Sequence, residues 1–548
     1  MIVIMKKISL LISALVLVSC IEESVPDGST VIEQPDVPAL LNGLPADMTA
    51  AGVSGFYATY GFHVDFGIPS IHIMTDCMLE DLVPCGESGY FQYNNYAMNL
   101  GMGPTGSYAS YFWLSYYQGI RSANEIIALA GKEEDGPQKQ YWMAQALAYR
   151  AMFYLDLARL YEPKENDYVT IEKHLLGYTV PKVTEETDEK QLVRNPRLLR
   201  KDMYEFILGD LKEAHAMFIE AEKGGYVSAV TRPGRHAVRG LMARALIEMA
   251  YWEEFTDSER TSILEELIAC CDDVMAAFVP LSQDQWEDPA TGFNKAAANS
   301  SWVWGLSLDS SMTNNLFNFT SMMCVEALFG YAAITVPGVS AGLYKAASDS
   351  DFRKHSWYHS QSGYDYRFSG DVDEGNAARA AAVDYQSLKF RPALGEVSDY
   401  SVAVAADHPL MRVEEMYFLK MEALLLKDGL SAAAGLLEQF LNDHRYMDRS
   451  YVCNAADEDT FVKEMLLHKR LEFWGEGVLI YDYKRLDQGI TRNYEGTNYE
   501  KDYLFNTVGR SPQWNFCIPI SELQYNVGIP EDMNNPDPTG FADSSEGE

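Results

Sequence analysis

Residues 141–161 read YWMAQALAYRAMFYLDLARLY, a stretch that is apolar or aromatic on almost every side. Its pattern is helical, and a helix without a polar face has to be buried among other elements. We therefore expect a helix over residues 138–161, surrounded by further helices.

Further helical patterns occur on both sides of this stretch. They begin near residues 56–60 and also cover residues 108–130, 198–221, 236–252 and 262–277. Residues 411–445, MRVEEMYFLKMEALLLKDGLSAAAGLLEQFLNDHR, predict two more helices separated by Asp428 and Gly429, with a spacing that is similar to a tetratricopeptide hairpin. Such hairpins stack side by side because none can bury its apolar face alone. The predicted fold class is mostly α.

The first 19 residues predict a bacterial lipoprotein signal peptide. Lys6 and Lys7 precede an apolar run at residues 8–18, which is shorter than the roughly 20 residues that span a bilayer. Leu17-Val18-Ser19-Cys20 then resembles a lipobox, so Cys20 is expected to be lipidated and to become the first mature residue. A secretory peptide with ordinary cleavage is the alternative. Two or three acyl chains would anchor the protein stably in a membrane.

The mature chain divides by composition. Residues 20–48 combine several prolines with acidic and small residues and predict a flexible tether, and residues 49–548 are expected to form one domain. Within that domain, helical repeats are expected at about 108–277 and 408–487, and loop-rich regions at about 62–107, 278–407 and 488–548, with a short strand at SSWVWGLSL. Long irregular segments usually carry function, so the ligand is expected there.

Charge and cysteine usage exclude several functions. A net charge of −36 repels phosphate backbones, so we expect no nucleic-acid partner, whereas neutral ligands meet no such penalty. Cys77 and Cys85 could form a disulfide, but the cysteines lack the spacing of metal ligands. His355 and His359 lack the intervening glutamate of a metalloprotease. We expect no metal site and no cofactor.

Several motif-like stretches follow one another in a defined order. They are W-x-x-x-Y-x-x-I-x-x-A-N at 113–124, A-x-x-x-R-A-x-x-Y at 146–154, P-x-x-R-x-x-E at 409–415, R-x-E-x-x-x-E-G at 470–477, D-x-x-R at 482–485, I-P-x-x-E at 518–522 and N-N-P at 534–536. Together with the lipobox they resemble the SusD/RagB family, surface lipoproteins of Bacteroidetes nutrient-uptake systems, over nearly the whole chain. Asn534 stands where that family usually has glutamine.

The resemblance implies a SusD-like fold with tetratricopeptide-like hairpins, irregular ligand-binding loops and few short strands. It also implies an outer-membrane, cell-surface location and a SusC-like TonB-dependent transporter as partner, with Glu22 and Glu23 resembling the acidic export signal after the lipidated cysteine. The implied ligand is an oligosaccharide or, as in the RagB branch, a peptide. A helical scaffold that only docks proteins is a third possibility.

An enzymatic interpretation starts from Glu472 and Glu476, which could be a glycosidase pair. Glycosidase carboxylates flank the bond from opposite sides at about 5–9 Å, whereas residues four apart lie side by side on one helix face. We interpret them, with Arg470 and Arg485, as a structural ion-pair network at a helix end. The sequence also lacks a G-x-S-x-G elbow and the nucleotide-binding glycine motifs, so no catalytic residue and no enzyme activity are expected.

A sugar is held by aromatic rings against its C–H face and by polar groups at its rim. Stretches that combine rings with amides occur in the loop-rich regions, at GYFQYNNY (89–96), at TNNLFNF (313–319) and at Trp357-Tyr358. The expected ligand-binding residues are Tyr93, Asn94, Tyr96, Phe317, Phe319, Trp357 and Tyr358. Trp113, Trp142 and Trp474 fall on helices and are expected in the core.

Replacing Cys20 with alanine should release the protein from the membrane fraction, because the lipobox thiol would no longer receive acyl chains. Cell fractionation followed by immunoblotting measures this, with Cys453→Ala as a control that leaves the lipobox intact. A Cys20→Ala protein that stays in the membrane fraction would contradict lipidation.

Overall fold

Long helices dominate the computed structural model, which describes residues 36–50, 52, 63–84, 102–314, 316–333, 337–539 and 541. Val37–Glu548 is one compact unit. The helices of ten or more residues are α1 Val37–Asp47, α2 Ile68–Cys77, α3 Ser107–Ala130, α4 Pro137–Tyr161, α5 Arg200–Lys223, α6 Arg235–Ala250, α7 Asp257–Met275, α8 Val372–Ala381, α9 Val413–Asp428, α10 Leu430–His444 and α11 Glu458–Phe473. The mostly α fold class is confirmed.

Shorter elements connect these helices. The short α-helices are Glu189–Val193, Gln283–Trp286, Phe319–Met323, Ala341–Ala346, Tyr400–Ala403, Leu479–Arg485 and Ile520–Tyr525. The strands are β1 Leu82–Val83, β2 Tyr178–Pro181, β3 Arg197–Leu199, β4 Trp302–Leu306, β5 Gly338–Val339 and β6 His408–Arg412. They form the antiparallel pairs β1–β5, β2–β3 and β4–β6. Among the described residues, no helix has the length and apolarity needed to cross a membrane.

The long helices pack as a continuous stack. α3 packs on α4, α4 on α5, α5 on α6 and α6 on α7. α7 also packs on α9, and α9 packs on α10, so the two predicted groups of hairpins form one helical frame. This arrangement agrees with units that bury their apolar faces against their neighbours in sequence.

Helix α4 lies in the core, as its sequence predicts. Every residue from Ala144 to Tyr161 except Asp156 is buried. The α3–α4 crossing is close because Gly119 has no side chain: a Cβ at this position would lie 2.5 Å from a ring carbon of Phe153. The absent side chain therefore lets the two helices approach closely.

The start of the body differs from the prediction. The tether was expected to extend to residue 48, but Val37–Asp47 is helical and buries Val37, Leu41 and Leu44. These apolar residues recur at helical spacing, and α1 packs on α3 and α4. The prolines of this stretch made it resemble a tether, so the start of the domain was predicted too late in the sequence. Proline is compatible with the first turn of a helix, where Pro38 lies.

Part of the first predicted loop region is also helical. Ile68–Cys77 has Pro69 in its first turn, and nine of its ten residues are buried. Because it is buried on all sides, it lacks the alternation that reveals a surface helix. The helix predicted near residues 56–60 lies outside the described residues, as does Cys85. Cys270 and Cys271 are buried in α7.

A buried ion cluster connects the irregular region to the second group of helices. Glu472, in the last turn of α11, accepts hydrogen bonds from Arg353 at 3.0 Å, Arg412 at 3.0 Å and Arg445 at 2.7 Å. Glu476 accepts from Lys389 at 2.6 Å and from Arg412 at 2.8 Å. The cluster consists of the cations Arg353, Lys389, Arg412 and Arg445 and the anions Asp351, Glu414, Glu472 and Glu476.

Arg470, Glu472, Glu476 and Arg485 form structural ion pairs, as predicted. The prediction that they pair within one network was wrong. Arg470 pairs with Glu80 and Asp81, and Arg485 pairs with Glu248, Glu422 and Asp482. The four residues thus belong to three separate groups, each completed by residues that are distant in sequence.

The charges of the cluster determine the ionisation of Glu472. Burial alone would raise its pKa, but Arg445, Arg412 and Arg353 outweigh burial and hold the pKa of Glu472 well below its usual value of 4.5. Its contribution to stability is therefore complete above the unfolded-state pKa and is lost as the pH falls through the lower folded-state pKa.

Replacing Glu472 with glutamine should cost about 3–5 kcal/mol of folding free energy, because it leaves buried arginines without their counter-charge. Denaturant unfolding of residues 21–548 measures this cost, which should shrink in acid below about pH 4.3. Lys463→Ala, on the exposed side of α11, is the control and should change stability by less than about 0.5 kcal/mol. A Glu472→Gln protein as stable as this control would refute the role of the cluster.

Candidate functional site

Residues 313–314, 316–333 and 355–400, which lie mostly outside helices and strands, form a ring-bearing surface that we call the loop face. Their backbones are joined by hydrogen bonds: the Leu328 amide donates to the Val397 carbonyl at 2.9 Å, and the Gly370 amide donates to the Gly395 carbonyl at 2.9 Å. The loop face is therefore one connected surface although most of it lies outside helices and strands.

A buried ion pair fixes the centre of the loop face. Glu326 accepts the Ser369 amide at 2.6 Å, the Ser369 hydroxyl at 2.8 Å and Nη1 of Arg391 at 2.8 Å. The same Arg391 nitrogen donates to the Arg367 carbonyl at 2.8 Å. Both charged side chains are buried, so these contacts pin three chain segments at one point.

Half-buried rings form one group on the loop face. Tyr358 contacts Tyr366 and Phe368 with centroid distances of 5.2 and 6.2 Å. Tyr364 stacks on His355 at 3.5 Å and donates its hydroxyl proton to Glu287 at 2.5 Å. Burial, together with this hydrogen bond, raises the pKa of Tyr364, so the phenol remains protonated.

Phe329 and Tyr400 form a second group of rings on the loop face. Phe329 meets Tyr400 edge-on at 5.6 Å, and the Tyr400 hydroxyl lies 2.8 Å from the Thr313 hydroxyl. Both rings are half-buried, and Leu328 and Leu394 beside them are exposed. Leu394 has a φ of 56°, in the left-handed region that side chains rarely adopt. The fold therefore presents an apolar side chain to solvent on a strained backbone.

The seven predicted ligand-binding residues lie in different environments. Tyr93, Asn94 and Tyr96 lie outside the described residues, as does Cys20. Trp357 is 0% exposed and meets Trp474 edge-on at 6.0 Å, so it has no face on which a sugar could stack. Phe317 stacks on His63 at 5.2 Å and is buried.

Phe319 and Tyr358 complete this set. Phe319 is buried between Phe390 at 4.9 Å and His408 at 4.4 Å. Tyr358 is half-buried on the loop face. Tyr358 is thus the one described member of the predicted set whose ring reaches the surface, and we leave Trp357, Phe317 and Phe319 out of the proposed site because their rings belong to the core.

Sequence analysis missed the other rings of the loop face. Tyr364, Tyr366 and Phe368 alternate with polar residues, and this alternation could have indicated an extended, half-exposed segment. Phe329 and Tyr400 carry no comparable signal, because they are far apart in sequence. The core assignments of Trp113 and Trp474 are confirmed, and Trp142 is half-buried against the core.

The histidines of this region have structural partners. His355 lies 2.9 Å from Glu287, and His359 stacks on Tyr344 at 5.0 Å. Within the described ranges, no three His, Cys, Asp or Glu side chains are grouped as metal ligands.

Comparisons with known proteins agree with this architecture. Residues 88–247 match the SusD-like family model described as "Starch-binding associating with outer membrane". Over these residues the chain is similar to the SusD-like family. Among curated proteins, none matches it.

Solved structures share the SusD-like fold over nearly its full length. A SusD-like carbohydrate binding protein from Bacteroides vulgatus is 20% identical, with a TM-score of 0.68, and 91% of this chain and 97% of that chain are covered. A laminarin binding SusD-like protein is 16% identical, with a TM-score of 0.58 and coverages of 91% and 98%. Surface glycan-binding protein A from Bacteroides thetaiotaomicron, in complex with laminarihexaose, is 14% identical, with a TM-score of 0.60 and the same coverages.

Replacing Glu326 with glutamine should loosen the loop face, because Arg391 would keep a buried charge without its partner, a change that costs about 3–5 kcal/mol. Hydrogen exchange with mass spectrometry should show faster exchange at residues 367–370 and 391–397 in this variant than in the unaltered protein. Exchange in the helical frame should stay the same. Asp373→Asn, an exposed change in α8, is the control. Unchanged exchange in both segments would show that the pair does not hold the loop face.

Proposed function

We propose that this SusD-like protein binds oligosaccharides at the loop face and delivers them to a SusC-like TonB-dependent outer-membrane transporter. The observation that carries the proposal is the match to a family model described as starch-binding, together with a fold shared with a laminarihexaose-bound protein. The proposed site has the required chemistry, since half-buried rings suit the C–H face of a sugar and nearby hydroxyls suit its rim.

The proposed ligand contacts are Tyr358, Tyr364, Phe368, Phe329 and Tyr400, with Tyr93, Asn94 and Tyr96 kept from the sequence prediction. The chain's net charge of −36 does not oppose a neutral ligand. The cell-surface location and the lipid anchor at Cys20 belong to the same proposal, and the family description as associating with the outer membrane supports them.

A glycosidase reaction at Glu472 and Glu476 has no support in the geometry. Both carboxylates are buried, and both accept hydrogen bonds from arginine or lysine. A glycosidase acid needs a raised pKa, whereas the pKa of Glu472 is held well below its usual value. The proposed role is therefore capture without turnover.

Peptide cargo is the second candidate, because an acidic surface attracts basic peptides. Calorimetry with laminarihexaose, maltohexaose and a lysine-rich peptide of similar length distinguishes the two. We expect saturable binding of at least one oligosaccharide; binding of the peptide alone would favour the second candidate. The absence of both would leave a helical scaffold that only docks proteins.

Tyr364→Ala and Phe329→Ala should each weaken oligosaccharide binding about tenfold, equal to about 1.4 kcal/mol, because each removes a ring from the proposed site. Tyr525→Ala, an exposed ring in a different part of the fold, is the matched control and should bind normally. If both loop-face variants bind as tightly as the unaltered protein, the site lies elsewhere.

Delivery requires a transporter, so the lipidated protein should co-purify with a TonB-dependent barrel from the outer membrane of the native host. Mass spectrometry of the complex identifies the barrel. Recovery of the protein without a barrel, under conditions that retain glycan binding, would separate capture from delivery.

A further inference from the structure

A groove of about 580 Å³ runs along helix α3, and none of its lining residues belongs to the loop face. One wall is formed by Leu114 and Arg121 of α3, and the other by Leu192, Val193 and Tyr525. Most of the lining surface is apolar. Its volume lies within the range of about 300–1,000 Å³ that is typical of ligand sites.

Hydrogen bonds fix the floor of the groove. The ring of Tyr117 lies 4.7 Å from that of Trp113, and its hydroxyl donates to the Pro181 carbonyl at 2.6 Å. The Asn124 amide donates to the Val183 carbonyl at 3.1 Å. The floor is therefore formed before any partner arrives.

The far wall is equally fixed. Asn526 accepts the Asn195 amide at 2.8 Å and donates to the Asn195 carbonyl at 2.7 Å. The Val527 amide donates to the Val193 carbonyl at 2.8 Å. A partner that binds a preorganised groove spends little free energy on ordering it.

Exposed apolar side chains concentrate around this groove. Tyr525 is 79% exposed, and Leu114, Leu192, Val193 and Val527 are also exposed. Solvent exposure of several neighbouring large apolar side chains is unfavourable for a secreted, acidic protein and typically marks an interaction surface.

One carboxylate in the groove lacks a cation. Glu125 pairs with Arg121, and Glu185 pairs with Arg150. Glu522 accepts only an amide hydrogen of Asn526, at 2.9 Å, and forms no ion pair within the described part of the chain. An occupant with a lysine or arginine side chain would complete this site.

Charge also argues against two other occupants of the groove, the N-terminal segment of this chain and a second copy of the protein. Residues 21–36 carry five carboxylates, Glu22, Glu23, Asp27, Glu33 and Asp36, and no lysine or arginine. A second copy brings a net charge of −36. Both would bring like charge to Glu522.

We propose that this groove docks a segment of another protein that inserts branched apolar side chains between α3 and Tyr525 and pairs a basic side chain with Glu522. The groove thereby adds a protein-binding surface to the glycan-binding loop face, and the inference does not depend on which sugar the loop face takes. Apolar anchors in a groove with a charged contact at its edge are a common mode of recognition of protein segments.

The probes are two blocked tetrapeptides, acetyl-Leu-Lys-Leu-Tyr-amide and its glutamate counterpart acetyl-Leu-Glu-Leu-Tyr-amide, titrated by calorimetry into residues 21–548. We expect the lysine peptide to bind at least fivefold more tightly than the glutamate peptide. Glu522→Gln should bring this ratio close to one, and Leu192→Asp should weaken both peptides at least fivefold.

Leu328→Asp is the matched control, because it changes another exposed leucine, on the loop face, and it should leave peptide binding unchanged. Both leucines are exposed, so the variants should unfold at the same temperature as the unaltered protein. Oligosaccharide titration of Leu192→Asp separates the two surfaces: normal sugar binding with weakened peptide binding agrees with the proposal, whatever the outcome of the loop-face variants.

Three results would overturn the proposal. The first is equal binding of the two peptides, or no detectable binding of the lysine peptide at a concentration of about 1 mM. The free energy of binding would then be weaker than about 4 kcal/mol. The second is a dimer in sedimentation that Leu192→Asp abolishes, which would assign the groove to a second copy. The third is loss of oligosaccharide binding in Tyr525→Ala, which would make the groove a sugar site.

Discussion

The neutral balance of a buried ion cluster is the constraint on which the rest of this structure depends. Four cations and four anions lie beside α11 with almost no access to water. Moving such charges out of water is costly, and only well-aligned hydrogen bonds between opposite charges offset that cost. The segments that carry them therefore have few acceptable positions, and the irregular region is fixed relative to the helices.

The cluster also explains how a helical frame can support an irregular binding surface. Neighbouring helices such as α3 and α4 are close in sequence and stack through apolar contacts. The loop face has no such local order, so it depends on contacts between distant residues, including Glu326 with Arg391 and Lys389 with Glu476. Under the proposed function, variation of rings such as Tyr364 and Phe329 would change the ligand while the buried pairs preserve the surface.

The two proposed surfaces differ in chemistry in a way that separates their partners. The loop face combines half-buried rings with hydroxyl groups, which suits a neutral polyol. The groove beside α3 is apolar, and its lining includes the carboxylate of Glu522, which has no ion pair among the described residues. These features suit an apolar and basic protein segment. Under these two proposals, a sugar and a protein segment would bind to different surfaces and would not compete with each other.

The sequence by itself determined the helical frame, because helical periodicity is a local property. The ranges of α3, α4, α9 and α10 follow from their patterns to within a few residues, and α4 was correctly placed in the core. The strand Trp302–Leu306 and the family motifs were also readable without coordinates.

Only the tertiary structure decided which rings reach the surface and which charges meet. Trp357 and Tyr358 are adjacent in sequence, yet one is core and the other is half-exposed, because neighbouring residues in an extended segment point to opposite sides. Arg470, Glu472 and Arg485 looked like one network, yet each is completed by residues from elsewhere in the chain. Burial and ion pairing depend on distant segments, and one sequence does not reveal how those segments come together.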